Sequence, residues 1–181
     1  MNMEKRLILT GAQGTGKSTI LNHFKEQGYP AITEVVRQLA QEGVNINETG
    51  DSDSQTIIFN KYKELLNQES YISDRGLSDV VAYTFYLGLQ GKLEKEFADE
   101  QFVEAVNFYK ENSDIIICYV PIEFPVVDDG VRSTDEDFRN TIDFLIRSFL
   151  DCNEIPYYII KGTVDERIAQ VELILKEKRE S

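Results

Sequence analysis

The sequence predicts an α/β protein of three layers, a five-stranded parallel sheet between helices, on three observations. Short apolar runs, among them Arg6-Leu7-Ile8-Leu9-Thr10 and Tyr71-Ile72-Ser73-Asp74, alternate with longer stretches of helical periodicity. Ile115-Ile116-Ile117-Cys118-Tyr119-Val120 is apolar without alternation, as a central strand buried on both faces requires. The unusual polar residues fall just after strands, the carboxyl edge where such sheets bind ligands.

The first strand is expected at about 5–10 and the first helix at about 17–27, with Ile20, Leu21 and Phe24 aligned before Gly28. Tyr29 to Thr33 reads as the second strand, and a short helix over about 35–41 ends at Gly43. Residues 43–54 (GVNINETGDSDS) are polar and glycine-containing and read as a loop. A helix over 54–68 aligns Ile58, Tyr62, Leu65 and Leu66, and the third strand is 71–74. Helices over 77–88 and about 94–111 follow, the second with Ala98, Phe102, Ala105, Val106 and Tyr109 in phase. After the fourth strand, Pro121 and Pro125 bound a loop that reaches Ser133. Thr134 reads as an N-cap with Asp135, Glu136 and Asp137 in the first turn, where the helix dipole favours anions. That helix is expected to bury Phe138, Ile142, Leu145, Ile146 and Phe149. Tyr157 to Ile160 reads as the last strand, and a terminal helix aligns Val164, Ile168, Val171 and Leu175. No repeat or linker breaks the alternation, so one domain over 1–181 is expected, with a lid at about 121–139 between strand 4 and the next helix.

Composition is that of a globular chain, 41% apolar and 28% charged over 181 residues. No apolar run approaches the roughly 18 residues of a membrane span, and the first strand is too short for a signal-peptide core, so a cytoplasmic protein is expected. Cys118 and Cys152 lack metal spacing and read as buried free thiols, and His23 reads as a surface side chain. A net charge of −13 disfavours a nucleic-acid partner. A small-molecule partner is expected instead, with the protein a monomer or small homo-oligomer.

The stretch Gly11 to Thr19, GAQGTGKST, matches G-x-x-x-x-G-K-[ST] at every fixed position and stands between a strand and a helix. Glycines let the backbone wrap a phosphate chain, and successive N–H groups with a helix N-terminus form an anion cradle. The spacing therefore predicts a three-layer P-loop NTPase binding a nucleoside triphosphate through Gly11, Gln13, Gly14, Thr15, Gly16, Lys17, Ser18 and Thr19. Lys17 would reach the β- and γ-phosphates, and Ser18 would hold Mg²⁺.

The other strand ends supply candidates for the rest of the chemistry. Asp74 follows an apolar strand beside the loop, where an acid can orient Mg²⁺ or take a proton from an attacking hydroxyl. Arg75 could hold an acceptor phosphate or the transferring group. Glu34 and Arg37 share one face of the turn after strand 2 and could bind acceptor hydroxyls or phosphate, or simply pair with each other. Either Asp74 or Glu34 is placed to act as base. In the loop Val127-Asp128-Asp129-Gly130-Val131-Arg132-Ser133, Arg132 is the leading candidate for an arginine that closes on the phosphates, with Arg139 the weaker one. Of Phe59, Tyr62, Tyr83, Phe85 and Tyr86, one or two are expected to meet an acceptor ring, the others being core.

DDGVRS at 128–133, a following helix and IPYYII at 155–160 resemble the kinase domain of the bacterial NAD-biosynthesis regulator. That domain is of the ribosylnicotinamide kinase type, in a P-loop kinase-like group often labelled AAA-type ATPase domain. The phosphate loop and Glu34-x-x-Arg37 match as well, so the resemblance runs discontinuously along nearly the whole chain. Asp74-Arg75 departs from that pattern and is more like the Asp-Arg of thymidylate-type kinases, which bears on the acceptor rather than the reaction. The resemblance implies ATP and Mg²⁺, with Gly11, Gly16, Lys17 and Ser18 binding ATP and Arg132 in the lid. It implies transfer of the γ-phosphate to a small nucleoside, nucleotide or nicotinamide riboside acceptor. Two other readings stand beside it: a P-loop kinase acting on modified bases or ends of DNA, and a nucleotide-dependent ATPase or switch module working through a protein partner.

Overall fold

The computed structural model describes residues 5–46, 49–125 and 135–180. The elements follow the expected alternation: β1 (Arg6–Thr10), α1 (Lys17–Glu26), β2 (Ala31–Ile32), α2 (Val35–Gln41), α3 (Ser52–Leu65), β3 (Tyr71–Asp74), α4 (Leu77–Leu89), α5 (Lys95–Glu111), β4 (Ile116–Tyr119), α6 (Glu136–Cys152), β5 (Tyr158–Ile159) and α7 (Val164–Glu180). The five strands form one parallel sheet in the order β2-β3-β1-β4-β5.

β1 sits at the centre, with Leu9 opposite Asp74 on β3 and Thr10 opposite Tyr119 on β4. Its side chains alternate between two apolar layers. Leu7 and Leu9 meet Ile20, Leu21 and Phe24 of α1 and Val171 and Leu175 of α7. Ile8 faces the opposite layer, built by α3, α4, α5 and α6, with Ile117 of β4 on the same side. Both faces of the sheet are covered, which is why its central strands read as continuous apolar runs. The chain leaves β1 toward β2 and leaves β3 toward β4, in opposite directions along the sheet. A crevice therefore opens between the carboxyl ends of these two adjacent strands.

Several boundaries shift for local reasons. α3 starts at Ser52 rather than 54, because Asp51 caps it: Ser54 N–H donates to Asp51 Oδ1 at 2.8 Å and Asp51 N–H donates to Ser54 Oγ at 2.8 Å. The cap of α6 is Asp135, whose Oδ1 accepts from the N–H of Asp137 and of Phe138 at 2.9 and 3.2 Å. Thr134 lies outside the described residues, and an aspartate takes the role expected of it. β2 and β5 shorten to two residues each at the sheet edges. On α6, Leu145 is only partly buried. On α7, Val164 is exposed and the buried side is Arg167, Val171, Ile174 and Leu175. Cys118 is buried, but Cys152 is exposed at the end of α6, against the expectation that both thiols are core. Among the described residues no helix is long and apolar enough to cross a membrane.

Gly76, between β3 and α4, is fixed by packing rather than by dihedral angle. A Cβ there would stand 2.8 Å from Tyr109 Oη and 2.9 Å from Ile8 Cδ1. Gly76→Ala is expected to cost roughly 1–3 kcal/mol through overpacking, read as a lower urea midpoint at unchanged slope.

Candidate phosphate-transfer site

The phosphate loop leaves β1 with three glycines in conformations that side chains resist: Gly11, Gly14 and Gly16 have φ of 140°, 68° and 94°. A Cβ on Gly11 would also collide with the carbonyl of Val120, just after β4. Gly16 caps α1 without any side-chain hydrogen bond, and no acidic residue stands in the first turn. With no side-chain cap in the way, the positive end of α1 is open to an anion.

The carbonyls of the loop point the other way, each to a donor. Lys17 Nζ donates to Gly11 O at 2.8 Å and to Ala12 O at 2.6 Å. Arg139 is fully buried, and its guanidinium donates to Gln13 O at 3.0 Å, Gly14 O at 3.1 Å and Phe124 O at 2.8 Å. Arg167, also buried, donates to Thr15 O and, at 2.8 Å, to Gly162 O, and pairs with Glu123. Arg139, the weaker lid candidate in the sequence, is therefore a brace under the loop. Its guanidinium is committed to three backbone carbonyls and is not free to close on a ligand.

Beside the loop, Ser18 Oγ donates to Asp74 Oδ2 at 2.9 Å. Asp74 Oδ1 is buried and has no hydrogen-bond partner among the described residues. A hydroxyl next to an unsatisfied carboxylate oxygen is a hard oxygen donor set, and it fits Mg²⁺. Buried Asp79 anchors the start of the loop: it accepts from Thr10 Oγ1 at 2.8 Å, from Gly76 N–H at 2.9 Å and from Gly11 N–H at 3.4 Å. Burial raises its pKa, opposed chiefly by the nearby Lys17 charge and the Gly76 N–H.

A cleft of about 390 Å³ opens directly onto the loop, walled by Glu34, Arg37, Tyr62, Asp74, Arg75 and Tyr83 among others. The geometry thus brings the strand-end candidates together around one space. Glu34 Oε2 pairs with Arg37 Nε at 3.0 Å, with both side chains about half exposed (55% and 51%). Arg75 sits 5.5 Å over the Tyr83 ring. Burial works against its charge, but Tyr83, Tyr62, Asp74 and Asp79 outweigh that and raise its pKa. Glu34 and Arg75 both take left-handed backbone, with φ of 59° and 87°. Of the five aromatics, Tyr62 and Tyr83 line the cleft, while Phe59 is buried, Phe85 packs on Phe102 and Tyr86 packs on Phe138. Arg132, Asp128 and Asp129 lie outside the described residues.

The sheet order, the glycine loop and the Ser18–Asp74 pair define a P-loop NTPase of the kinase-like kind. Within that class the chain belongs to a family described as AAA domain, whose profile matches residues 6–167. Solved structures support the fold. The NadR protein in complex with NR is 18% identical with a TM-score of 0.67, covering 96% of this chain and 51% of that one. Deoxyadenosine kinase from M. mycoides with bound dATP is 19% identical with a TM-score of 0.70, covering 95% and 99%. The YorR protein from Bacillus subtilis, in complex with phosphorylated GDP, is 18% identical with a TM-score of 0.63, covering 97% and 98%. The chain thus spans about half of the NadR chain and nearly all of the other two. No curated protein sequence matches it significantly.

The bracing role was missed in the sequence, where Arg139 is expected in the lid and Arg167 is not singled out, although Arg167 has a signal: it stands four residues before Val171, in phase with a buried stripe. Removing either arginine leaves loop carbonyls buried without a donor, at about 1–3 kcal/mol for each unsatisfied group. Arg139→Ala and Arg167→Ala are each expected to lower unfolding stability by about 2 kcal/mol or more. Arg139→Lys should recover less than half, because one ammonium cannot span three carbonyls; denaturant titration checks both.

Proposed function

We propose that the protein is a phosphotransferase that moves the γ-phosphate of ATP to a small nucleoside, nucleotide or nicotinamide riboside acceptor. The observation that carries this is the cleft beside the phosphate loop. A module that only hydrolyses nucleotide has no need of a walled space beyond the loop with two carboxylates and two guanidinium groups in its lining. NadR bound to NR and deoxyadenosine kinase bound to dATP share the fold, which supports a small nucleoside-like acceptor.

In this reading the loop N–H groups beyond Gly11, whose own N–H goes to Asp79, cradle the phosphates, and Lys17 turns one of its three N–H donors to the β- and γ-phosphates. Ser18 and Asp74 hold Mg²⁺, which when bound neutralises charge on the phosphate oxygens. The acceptor hydroxyl oxygen bonds to the γ-phosphorus as the bond to the β–γ bridging oxygen breaks, and ADP leaves. The hydroxyl proton passes to a carboxylate. Asp74 is engaged by Ser18, so Glu34, at the cleft mouth and oriented by Arg37, is the better placed base. Arg75 holds the acceptor or the group in flight. The lid lies within residues about 121–139 of the same domain, between the held Phe124 and Arg139, with Arg132 closing on the phosphates.

The decisive experiment is ATP consumption with Mg²⁺ against nicotinamide riboside, nucleosides, nucleoside monophosphates and hydroxymethyl-modified DNA, with Lys17→Ala as the control. Stimulation by one small acceptor, lost in the Lys17 variant, is the expected result. Stimulation by DNA alone would replace this reading with a DNA-directed kinase, and Lys17-dependent hydrolysis indifferent to all acceptors would replace it with a switch module. Glu34→Gln is expected to lower kcat roughly 100-fold or more, in the range of general-base catalysis, with ATP binding unchanged. A normal kcat would remove Glu34 as the base.

A further inference from the structure

Displacement at phosphorus keeps the attacking and leaving oxygens roughly in line. With the acceptor in the cleft walled by α2, Tyr62, Asp74 and Tyr83, the rest of the donor must extend away from that cleft. Gly16 shows what waits there. From the place a Cβ would occupy on Gly16, Arg167 Nη1 is 3.1 Å away and Phe124 Cζ 3.7 Å, and neither side chain lines the cleft.

Phe124 is an unusual phenylalanine. It is 44% exposed, yet it is held firmly. Arg139 donates to its carbonyl at 2.8 Å, and the Arg167 guanidinium lies 5.1 Å from its ring centroid. Its neighbour Glu123 pairs with Arg167 and accepts from Gly162 N–H at 3.0 Å, tying this segment to the loop after β5. The two arginines that brace the phosphate loop therefore also fix this ring, one through its backbone and one through its π-face. An apolar ring left in water at the edge of an anion cradle, and pre-oriented by the cradle's own supports, is organised for a flat ligand.

The neighbouring loop has little left with which to read a base edge. Lys161 N–H donates to Gln170 Oε1 at 3.2 Å, Gly162 N–H to Glu123, and Thr163 N–H to Glu166 Oε2 at 2.7 Å. The Lys161 and Gly162 carbonyls accept from Gln170 Nε2 at 2.7 Å and Arg167 Nε at 2.8 Å. Stacking remains as the means of holding a base here, and stacking tolerates any base because every base has a π-face.

We propose that Phe124 is the shelf on which the nucleobase of the donor nucleoside triphosphate stacks. The proposal rests on the reading of the phosphate loop as the donor site. The test is equilibrium binding of ATP, GTP and inorganic tripolyphosphate, with Mg²⁺, to the wild type, Phe124→Ala and Phe124→Tyr. Phe124→Ala should weaken ATP and GTP by similar factors, roughly 5- to 100-fold by the usual worth of base–aromatic stacking. Tripolyphosphate, which has no base, should change by less than about twofold, and Phe124→Tyr should restore nucleotide binding. Unchanged ATP affinity in Phe124→Ala, or an equal loss of tripolyphosphate, overturns the shelf while leaving the donor site standing. Wild-type protein that binds neither ATP nor tripolyphosphate overturns the donor site and the shelf together.

Discussion

The outward face of the phosphate loop is the constraint on which the rest of the site depends. A loop can turn its N–H groups inward to an anion only if its carbonyls turn outward, and buried carbonyls need donors. Here every one is supplied. Gly11 O and Ala12 O accept from Lys17, Gln13 O and Gly14 O from Arg139, Thr15 O from Arg167, and Gly16 O from the Ile20 N–H as α1 begins. Water cannot easily do this work, because the loop is pressed between the ends of β1 and β4 and the helices behind it. The guanidinium group suits it, since a planar fork reaches two or three carbonyls at fixed angles.

The same arrangement links distant parts of the chain. Arg139 comes from the first turn of α6 and Arg167 from the first turn of α7. Each helix therefore has two jobs, covering one face of the sheet and carrying a cation to the loop. α6 packs on the α4–α5 side with Ile142, Ile146 and Phe149, whereas α7 packs on the α1 side with Val171 and Leu175. The loop is braced from both layers at once. Two buried guanidinium groups also place positive charge behind the cradle of a protein whose net charge is −13, with Glu123 paired to one of them.

What was legible in the sequence follows from how local each signal is. The strand and helix order and the loop came from spacing within a few residues, and they stand, with edges moved by two or three positions where a cap such as Asp51 intervened. The cleft residues were legible because strand ends define a common edge: Glu34, Asp74 and Arg75 needed only the fold class to be brought together. Arg167, Asp79 and Phe124 were not legible as parts of the site, and Arg139 was legible as a phosphate-site arginine but not as a brace under the loop. Their partners are backbone atoms or groups far along the chain, 152 residues in the case of Arg167 and Thr15, and a carbonyl leaves no mark in the sequence. Val164 shows the complementary error. Its apolar side chain fits the helical stripe, but Arg167 takes the inward position near the loop and leaves Val164 in water.

Glu34 and Arg75 bear on the proposed acceptor side in a different way. Each follows a strand, and each takes a left-handed conformation that costs a residue with a side chain of order 1 kcal/mol or more. Glycine would relieve that strain at both places. The contacts visible in the protein do not repay it for Glu34, whose ion pair with Arg37 is half exposed and of a kind worth about 0–1 kcal/mol. The third such residue, Glu154, lies in the turn after α6, where its N–H donates to Asp151 O at 3.2 Å and the left-handed residue simply closes the helix. The two strained residues at the cleft have local roles too, Glu34 opening α2 with its carbonyl accepting from Gln38 N–H at 2.8 Å and Arg75 N–H donating to Leu9 O at 2.9 Å, but their side chains also line the cleft. Strain kept at those two positions, beside a loop whose own strain is confined to glycines, places a carboxylate and a guanidinium in the cleft wall, as the acceptor role proposed for them requires.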